Sequence, residues 1–231
     1  MGYNPWPLGM VPEHLQRPEL RQLKEMGYQF EDAREVVTMF EQKVCDFTGA
    51  KYAVSTDCCT HALELALRYF GVENKKVFIP KYTYMSVWMM LKHLNADVEF
   101  TNEKWTGEYK IHGTNIYDSA VRWKRGMYMR GKVQCLSFQI KKTIPIGRGG
   151  MILCDRKEMA DALRLASYDG RDLRTPYDDP MHTRMIGHHY YMTPEDAARG
   201  IILMDQINKE GDSARWDNYP NLEKYVLISQ K

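Results

Sequence analysis

The sequence predicts an α/β fold with a mainly parallel sheet flanked by helices. Short apolar segments alternate with amphipathic segments along most of the 231 residues, and the connections between them are short. Glycines such as Gly49 and Gly71 follow the amphipathic segments at points where helices are expected to end. This repeated strand–helix order is typical of a parallel sheet that is covered on both faces.

The elements are predicted from composition and periodicity. Residues 1–29 are rich in proline, glycine and aromatic residues and are predicted to form an irregular arm. Residues 102–114 are polar and are predicted to form a loop. The other predicted elements are, in order, a helix at 30–48, a strand at 52–55, a helix at 60–70, a strand at 77–80, a helix at 86–94, strands at 98–101, 115–117, 133–138 and 150–154, a helix at 158–167 and a helix capped by Thr193.

Composition narrows the class of protein. The net charge is only +2, so the sequence does not indicate a nucleic-acid partner. It contains no apolar run long enough for a membrane span and no secretion signal at the start. The five cysteines are an odd number, which indicates reduced thiols in a cytoplasmic protein. The sequence has no CxxC or HExxH segment, so it does not indicate a metal site.

Reactive side chains follow several predicted strands. Lys141 and Lys142 follow one strand and Asp118 follows another, while Thr60 and Tyr84 follow two more. Ligands of open α/β sheets bind beyond the carboxyl ends of the strands, so one site is expected to gather these side chains. A deprotonated lysine can form a Schiff base, and a buried aspartate suits the ring nitrogen of pyridoxal phosphate (PLP). Taken singly, each residue has a simpler explanation, such as a surface lysine or a helix N-cap, and only the combination indicates a site.

Five segments resemble one known family in the same order along the chain. SFQIKKTIPIGRGG, at 137–150, has the SFxxxKxxxxGxGG form found in the DegT/DnrJ/StrS sugar aminotransferases, which have the aspartate-aminotransferase type of fold. The other matching segments are DCCTHAL at 57–63, PKYTYMS at 80–86, IYDSA at 116–120 and GHHYYMTPEDAARGIILMDQI at 187–207. The resemblance extends from about residue 30 to residue 219.

The resemblance implies roles for seven residues around a PLP cofactor. Lys142, rather than Lys141, matches the Schiff-base lysine, and the burial expected there would lower its pKa and free its amine. The other implied roles are contact with the ring nitrogen by Asp118, stacking on the ring by Tyr84, phosphate binding by Ser137, Thr60 and His61, and contact with the neighbouring subunit's phosphate by His189.

The resemblance also implies a reaction and an organisation. A PLP-dependent aminotransferase of this family moves an amino group from an amino acid, usually glutamate, to a nucleotide-linked keto sugar, and works as a homodimer with shared sites. Residues 30–212 are then the PLP-binding large domain. Residues 213–231 are expected to be a remnant of the small C-terminal domain, which is expected to be largely missing.

Two alternative functions remain open. A sugar dehydratase of the same family would carry histidine in place of Lys142, and this chain keeps lysine. A non-catalytic binding or regulatory protein with the same fold is the other alternative. It is favoured by the C-terminal domain that is expected to be missing and by two departures from the family pattern, since Val121 stands where glutamine or histidine is usual and Arg148 replaces an acid. Cys59, which replaces a glycine, is a further departure.

Overall fold

The computed structural model describes residues 16–176 and 178–226. Its helices are α1 Glu19–Glu25, α2 Glu35–Thr48, α3 Cys59–Phe70, α4 Met85–His93, α5 Lys157–Ser167, α6 Pro194–Gln206 and α7 Glu223–Val226. Its strands are β1 Tyr52–Thr56, β2 Lys76–Pro80, β3 Asp97–Thr101, β4 Tyr109–Lys110, β5 Ile116–Asp118, β6 Arg122–Trp123, β7 Val133–Ser137, β8 Gly150–Cys154 and β9 Gly211–Asp212.

The main sheet has the strand order β1-β8-β7-β5-β4. Strands β5 and β7 are parallel, and β8 runs antiparallel to both of its neighbours, so β1, β5 and β7 share one direction. Strands β2 and β3 form a separate parallel pair, and β6 pairs with β9. The α/β class is confirmed, and the sheet is mixed where the sequence predicted mainly parallel pairing.

The reversal at β8 has a local cause. Parallel neighbours need a crossover connection, usually a helix, to bring the chain back to the starting edge. No helix lies between β7 and β8. The chain instead turns within the loop that contains Lys142, and Gly147 and Gly149 adopt φ angles of +121° and +144° there. β8 therefore returns antiparallel beside β7.

The core has two layers, one on each face of the sheet. Alternate side chains of β8 belong to different layers. Ile152 packs in the layer of α3, α4 and α5, and Met151 packs in the layer of α1, α2 and α6. Both of these side chains are fully buried. This arrangement explains why β8 reads as a continuous apolar segment. Within residues 16–176 and 178–226, no helix combines the length and apolarity needed to cross a bilayer.

Helix ends follow the expected rules. Gly49 and Gly71 end α2 and α3 in the left-handed conformation. The Thr193 hydroxyl accepts a hydrogen bond from the Asp196 amide at the start of α6, as predicted. Helix α2 begins at Glu35 rather than near residue 30, because the Glu35 carboxylate accepts the Asp32 amide at 2.7 Å and holds the preceding residues in turns.

Two predicted irregular segments contain regular structure. Within the predicted arm 1–29, residues 1–15 lie outside the described residues, but Glu19–Glu25 is a helix because its apolar side chains recur at helical spacing and Leu23 is fully buried. Within the predicted loop 102–114, β4 pairs with β5 and places Tyr109 opposite Asp118. A strand of two residues is too short for periodicity to reveal.

Candidate functional site

A cavity of about 700 Å³ opens at the carboxyl ends of β1, β5 and β7. Its walls come from the loops that follow these strands, from the start of α4 and from the segment that follows α6. Five of the seven predicted site residues line it, namely Thr60, Tyr84, Asp118, Ser137 and Lys142. The structure therefore brings together residues that are far apart in the sequence.

Lys142 lies on a turn after β7. Its amide donates to the Gln139 carbonyl at 2.8 Å, and Gln139 also bridges to Gly147, so the backbone of the turn is fixed. The side chain is half-buried, and no residue in the described part of the chain hydrogen-bonds to its Nζ. Lys141 lines the same cavity but is exposed. Lys142 is the lysine whose positive charge acts on Asp118.

Asp118 ends β5 and is buried, with 6% of its surface exposed. The Tyr109 hydroxyl donates to Oδ2 at 2.7 Å, and the Ala120 amide donates to Oδ1 at 3.0 Å. Burial raises the pKa of Asp118, while these two hydrogen bonds and the charge of Lys142 oppose that rise. A cationic ligand group beside this carboxylate would stabilise its ionised form.

Tyr84 and Thr60 face the cavity from two helix starts. Tyr84 precedes α4 and leaves 63% of its surface exposed, so its ring is available to a ligand. The Thr60 hydroxyl lies 2.8 Å from the Ser86 hydroxyl, within hydrogen-bonding distance. Ser137 contributes a third hydroxyl at the end of β7. An aromatic ring and several hydroxyls in one cavity suit a planar, phosphorylated ligand.

The start of α3 is held against the cavity by glycines. Cys58 bridges to Gly149, and a Cβ at Gly150 would lie 2.4 Å from the backbone carbon of Cys58, so only glycine permits this approach. The first amides of α3 have no partner within the helix, and the helix dipole is positive there. This geometry fits a phosphate group.

His61 lies outside the residues that line the cavity. Its Nδ1 is 2.5 Å from Oδ1 of Asp57, and its ring stacks on Tyr190 with a centroid separation of 3.6 Å. Although burial opposes it, the contacts with Asp57 and Cys58 raise the pKa of His61 to about 9. The side chain is therefore engaged by the fold, and its contact with phosphate stays a prediction.

Arg148, the replacement for the family's acid, pairs with the same aspartate. Its guanidinium lies 2.6 Å from Oδ2 of Asp57. Burial alone would raise the pKa of Asp57, but the His61 hydrogen bond and charge and the Arg148 charge hold it below its usual value. Ligand atoms of Asp57, Cys58 and His61 lie within 4.8 Å of one another. Because both oxygens of Asp57 are engaged by cations, this cluster is an ion-pair network.

His189 also lies away from the cavity. Its side chain is 70% exposed, and its Nδ1 contacts the Asp169 carboxylate at 3.0 Å. The predicted contact with a second subunit is not tested by a single chain and stays a prediction. The exposure leaves the imidazole available to a partner.

The cavity residues that sequence reasoning missed include Trp105, Tyr109, Asn218 and Tyr219. Tyr109 lines it because β4 pairs beside Asp118, a pairing that the loop prediction hid. Trp105 precedes the same strand and contacts Tyr109 and Tyr219 with centroid separations of 5.0 and 5.4 Å. Asn218 and Tyr219 come from the segment after α6, and no local pattern predicts that this segment returns to the sheet.

The residues that line the cavity fit PLP. The buried carboxylate of Asp118 suits the protonated ring nitrogen, and the exposed ring of Tyr84 suits stacking. The start of α3 and the hydroxyls of Thr60 and Ser137 suit the phosphate, and Lys142 suits the carbonyl carbon.

Relatives of known activity match most of the chain. It is 26% identical over 215 residues to GDP-perosamine synthase of Escherichia coli O157:H7 and 22% identical over 216 residues to UDP-4-amino-4,6-dideoxy-N-acetyl-beta-L-altrosamine transaminase of Campylobacter jejuni subsp. jejuni. Each match covers 74% of this chain, but only 58% and 57% of the respective relative. The chain thus spans less than two thirds of their length.

Solved structures share the fold. The structure of AtS13 from Actinomadura melliaura superposes with a TM-score of 0.68 at 17% identity, over 83% of this chain and 65% of that one. The predicted fold of the aspartate-aminotransferase type is confirmed.

The family assignment follows from the sequence profile. The profile of the DegT/DnrJ/EryC1/StrS aminotransferase family matches residues 17–107 and 119–219. The matched residues include Lys142 and five of the other predicted site residues. The seventh, Asp118, lies one residue before the second matched segment. With most of the chain matched and the fold shared, the chain belongs to the DegT/DnrJ/EryC1/StrS aminotransferase family, whose members depend on PLP.

Proposed function

We propose that this chain binds PLP through Lys142 and transfers an amino group from an amino acid to a nucleotide-linked keto sugar. The observation that carries the proposal is the single cavity in which Lys142 and the buried Asp118 face the same space. Family membership supports the reaction class. The relatives named as a perosamine synthase and an altrosamine transaminase support the substrate class.

Each side chain has a defined task in this proposal. When bound, PLP supplies a ring that accepts the electron pair released as a proton leaves the substrate α-carbon. Asp118, ionised, holds the proton on the ring nitrogen, and Tyr109 orients Asp118 by its hydrogen bond. Tyr84 fixes the plane of the ring. The Lys142 amine, once displaced by substrate, would take the proton from the α-carbon and deliver it to the cofactor carbon, which is the proton shift that amino transfer requires.

The phosphate end of the cofactor would be held by groups that cost little to reorganise. The residues at the start of α3 already line the cavity, and Gly150 lets β8 pack against the Cys58 backbone there. The hydroxyls of Thr60 and Ser137 add donors beside them. Preorganised donors of this kind bind an anion without moving.

The proposal includes glutamate as donor, a homodimer with shared sites and a cytoplasmic location. The exposed His189 supports a shared site, because its side chain is 70% exposed and does not line the cavity of its own chain. The five free cysteines support a reducing compartment. Analytical ultracentrifugation with and without PLP tests the dimer.

Borohydride trapping tests the cofactor assignment. The purified protein loaded with PLP should show a visible absorption band, and reduction followed by peptide mapping should find the cofactor on Lys142. Lys142→Ala should lose the band. Lys141→Ala is the matched control, because Lys141 lines the same cavity and should leave the band unchanged. A label on Lys141, or a band that survives in Lys142→Ala, would contradict the assignment.

A non-catalytic PLP-binding protein is the second candidate. Val121 presents an apolar side chain where the family pattern has a polar one, and Arg148 pairs with Asp57 where the family has an acid. The two candidates differ in half-transamination. A catalyst loses its visible band when glutamate is added without sugar, whereas a binding protein keeps it. A dehydratase would show no amino transfer at any donor concentration.

A further inference from the structure

A segment that follows α6 forms one wall of the cavity. We refer to residues 211–222 as the closing segment. Its backbone is bonded to loops that follow distant strands, since the Ser213 amide donates to the Val121 carbonyl at 2.7 Å and the Leu222 amide donates to the Lys81 carbonyl at 2.8 Å. The position of this wall is therefore set by main-chain hydrogen bonds at both ends.

A cluster of charges fixes the start of the closing segment. Arg122 lies 2.9 Å from Asp212 and 2.7 Å from Glu108, and Lys124 lies 2.6 Å from Asp212. Gly107, at a φ of +76°, makes room for the aspartate, because a Cβ there would lie 2.0 Å from its Oδ1. This network orders the wall independently of any ligand.

Tyr219 is the aromatic residue that the closing segment presents to the cavity. Its ring packs on Trp105, and its hydroxyl has no hydrogen-bond partner among residues 16–176 and 178–226. Burial, followed by the charges of Asp118 and Cys59, raises the pKa of Tyr219 to about 12. The phenol thus stays protonated at neutral pH and is available as a donor.

Val121 also lines the cavity, and its side chain is apolar. The family pattern has glutamine or histidine there, near the phenolic oxygen of the cofactor. The geometry points to Tyr219 as a further cofactor-binding residue, because it lines the same cavity with a hydroxyl, unpartnered among the described residues, that would donate a hydrogen bond to bound PLP. This inference rests on the proposed function, and it assigns to the closing segment a cofactor-binding group that the family's motifs do not contain.

The test compares tyrosine variants by PLP binding and by spectrum. Tyr219→Phe removes only the hydroxyl and should weaken PLP binding about tenfold, as expected for the loss of a hydrogen bond to a charged acceptor. It should also shift the pH at which the visible band changes. Tyr69→Phe is the matched control, because Tyr69 is exposed on α3 and does not line the cavity.

A rescue variant separates this role from a structural one. Adding Val121→His to Tyr219→Phe returns a polar group to the cavity and should recover most of the lost affinity. Circular dichroism shows whether the variants remain folded, and a loss of affinity that only tracks unfolding overturns the inference. Equal binding and spectra for Tyr219→Phe and Tyr69→Phe overturn it as well.

The outcome for the wild-type protein keeps the two proposals apart. If wild-type protein forms the Lys142 adduct and Tyr219→Phe behaves as wild type, the Tyr219 inference alone is wrong. If wild-type protein forms no adduct with PLP, the proposed function is wrong and the inference fails with it.

Discussion

Two cavities of this protein differ in whether their buried carboxylates form ion pairs. The cavity of about 700 Å³ contains Lys142 and Asp118, and within the described residues neither forms an ion pair. A second cavity, of about 420 Å³, lies between α2 and α5 and is also rich in charge. There Arg164 pairs with Glu41 at 2.9 Å, and Arg174 pairs with Asp172 at 2.9 Å.

The difference separates groups that serve the fold from groups that await a ligand. Glu41 is buried and accepts hydrogen bonds from the Ser55 amide, the Ser55 hydroxyl and Arg164, so its charge is satisfied within the fold. Asp118 is equally buried but has only neutral donors. A buried charge without a cationic partner is costly, and it persists where function requires it.

The largest expected effect is on the reaction of the first cavity. Asp118→Asn should slow half-transamination with glutamate by about 100- to 1000-fold, because it removes the buried partner of the ring nitrogen. Single-turnover absorbance of the PLP-loaded protein measures the rate. Asp161→Asn, which alters a partly exposed aspartate at the second cavity, is the control and should leave the rate unchanged. An unchanged rate in Asp118→Asn would remove the contrast between the cavities.

The second cavity should instead respond in stability. Glu41→Ala leaves Arg164 and both Ser55 donors without their acceptor, so the free energy of unfolding should fall by about 2–4 kcal/mol. Glu41→Gln keeps an acceptor oxygen and should cost less. Urea unfolding measures both. The folded variants should bind PLP as wild type does, and weakened binding would mean that the second cavity also serves the cofactor.

Gly150, which packs against the start of α3, should affect both stability and PLP binding. Gly150→Ala places a Cβ against the Cys58 backbone and should cost about 1–3 kcal/mol of stability, since the backbone must shift. Unlike Glu41→Ala, it should also weaken PLP binding, because it moves the start of α3. Titration of each folded variant with PLP makes the comparison. Equal affinities would show that the start of α3 does not hold the phosphate.

The smallest expected effect concerns the Asp57–His61 pair. The pKa of His61 is raised from 6.5 to about 9 in the folded protein. Its contribution to the free energy of unfolding is therefore fully present below pH 6.5 and is lost as the pH rises through 9. Asp57 has a lowered pKa and loses its contribution only in acid. Between pH 6.5 and 9, the free energy of unfolding of the wild-type protein should therefore fall by about 1–2 kcal/mol more than that of His61→Gln. Parallel pH profiles of unfolding would contradict this account.

The sequence predicted those parts of the site that depend on local order. Ser137, Lys142 and Gly150 lie in one continuous segment of the sequence. Thr60 and Tyr84 each come a few residues after a strand. Such residues keep their spacing wherever the strand is placed in the sheet. For this reason the lysine, the hydroxyls and the stacking ring reached the same cavity in the structure.

The parts that sequence reasoning missed depend on long-range contacts. Tyr109 enters the site through the pairing of a two-residue strand with β5, and Tyr219 enters through a segment that no periodicity marks. The ring of His61 packs against Asp57 and Tyr190 and does not line the cavity, so its predicted contact with the phosphate stays a prediction. Competition among tertiary partners decides such positions, and a single sequence does not display it.

The closing segment has a consequence for the order of assembly. Asp212 meets Arg122 across a sequence separation of 90 residues, and because such a contact closes a long loop, we expect the wall that contains Tyr219 to form late in folding. Until then the cavity is open along one side, and a newly made chain offers the cofactor a wider entrance than the finished protein does. Loading during folding should accordingly be faster than loading of the finished protein.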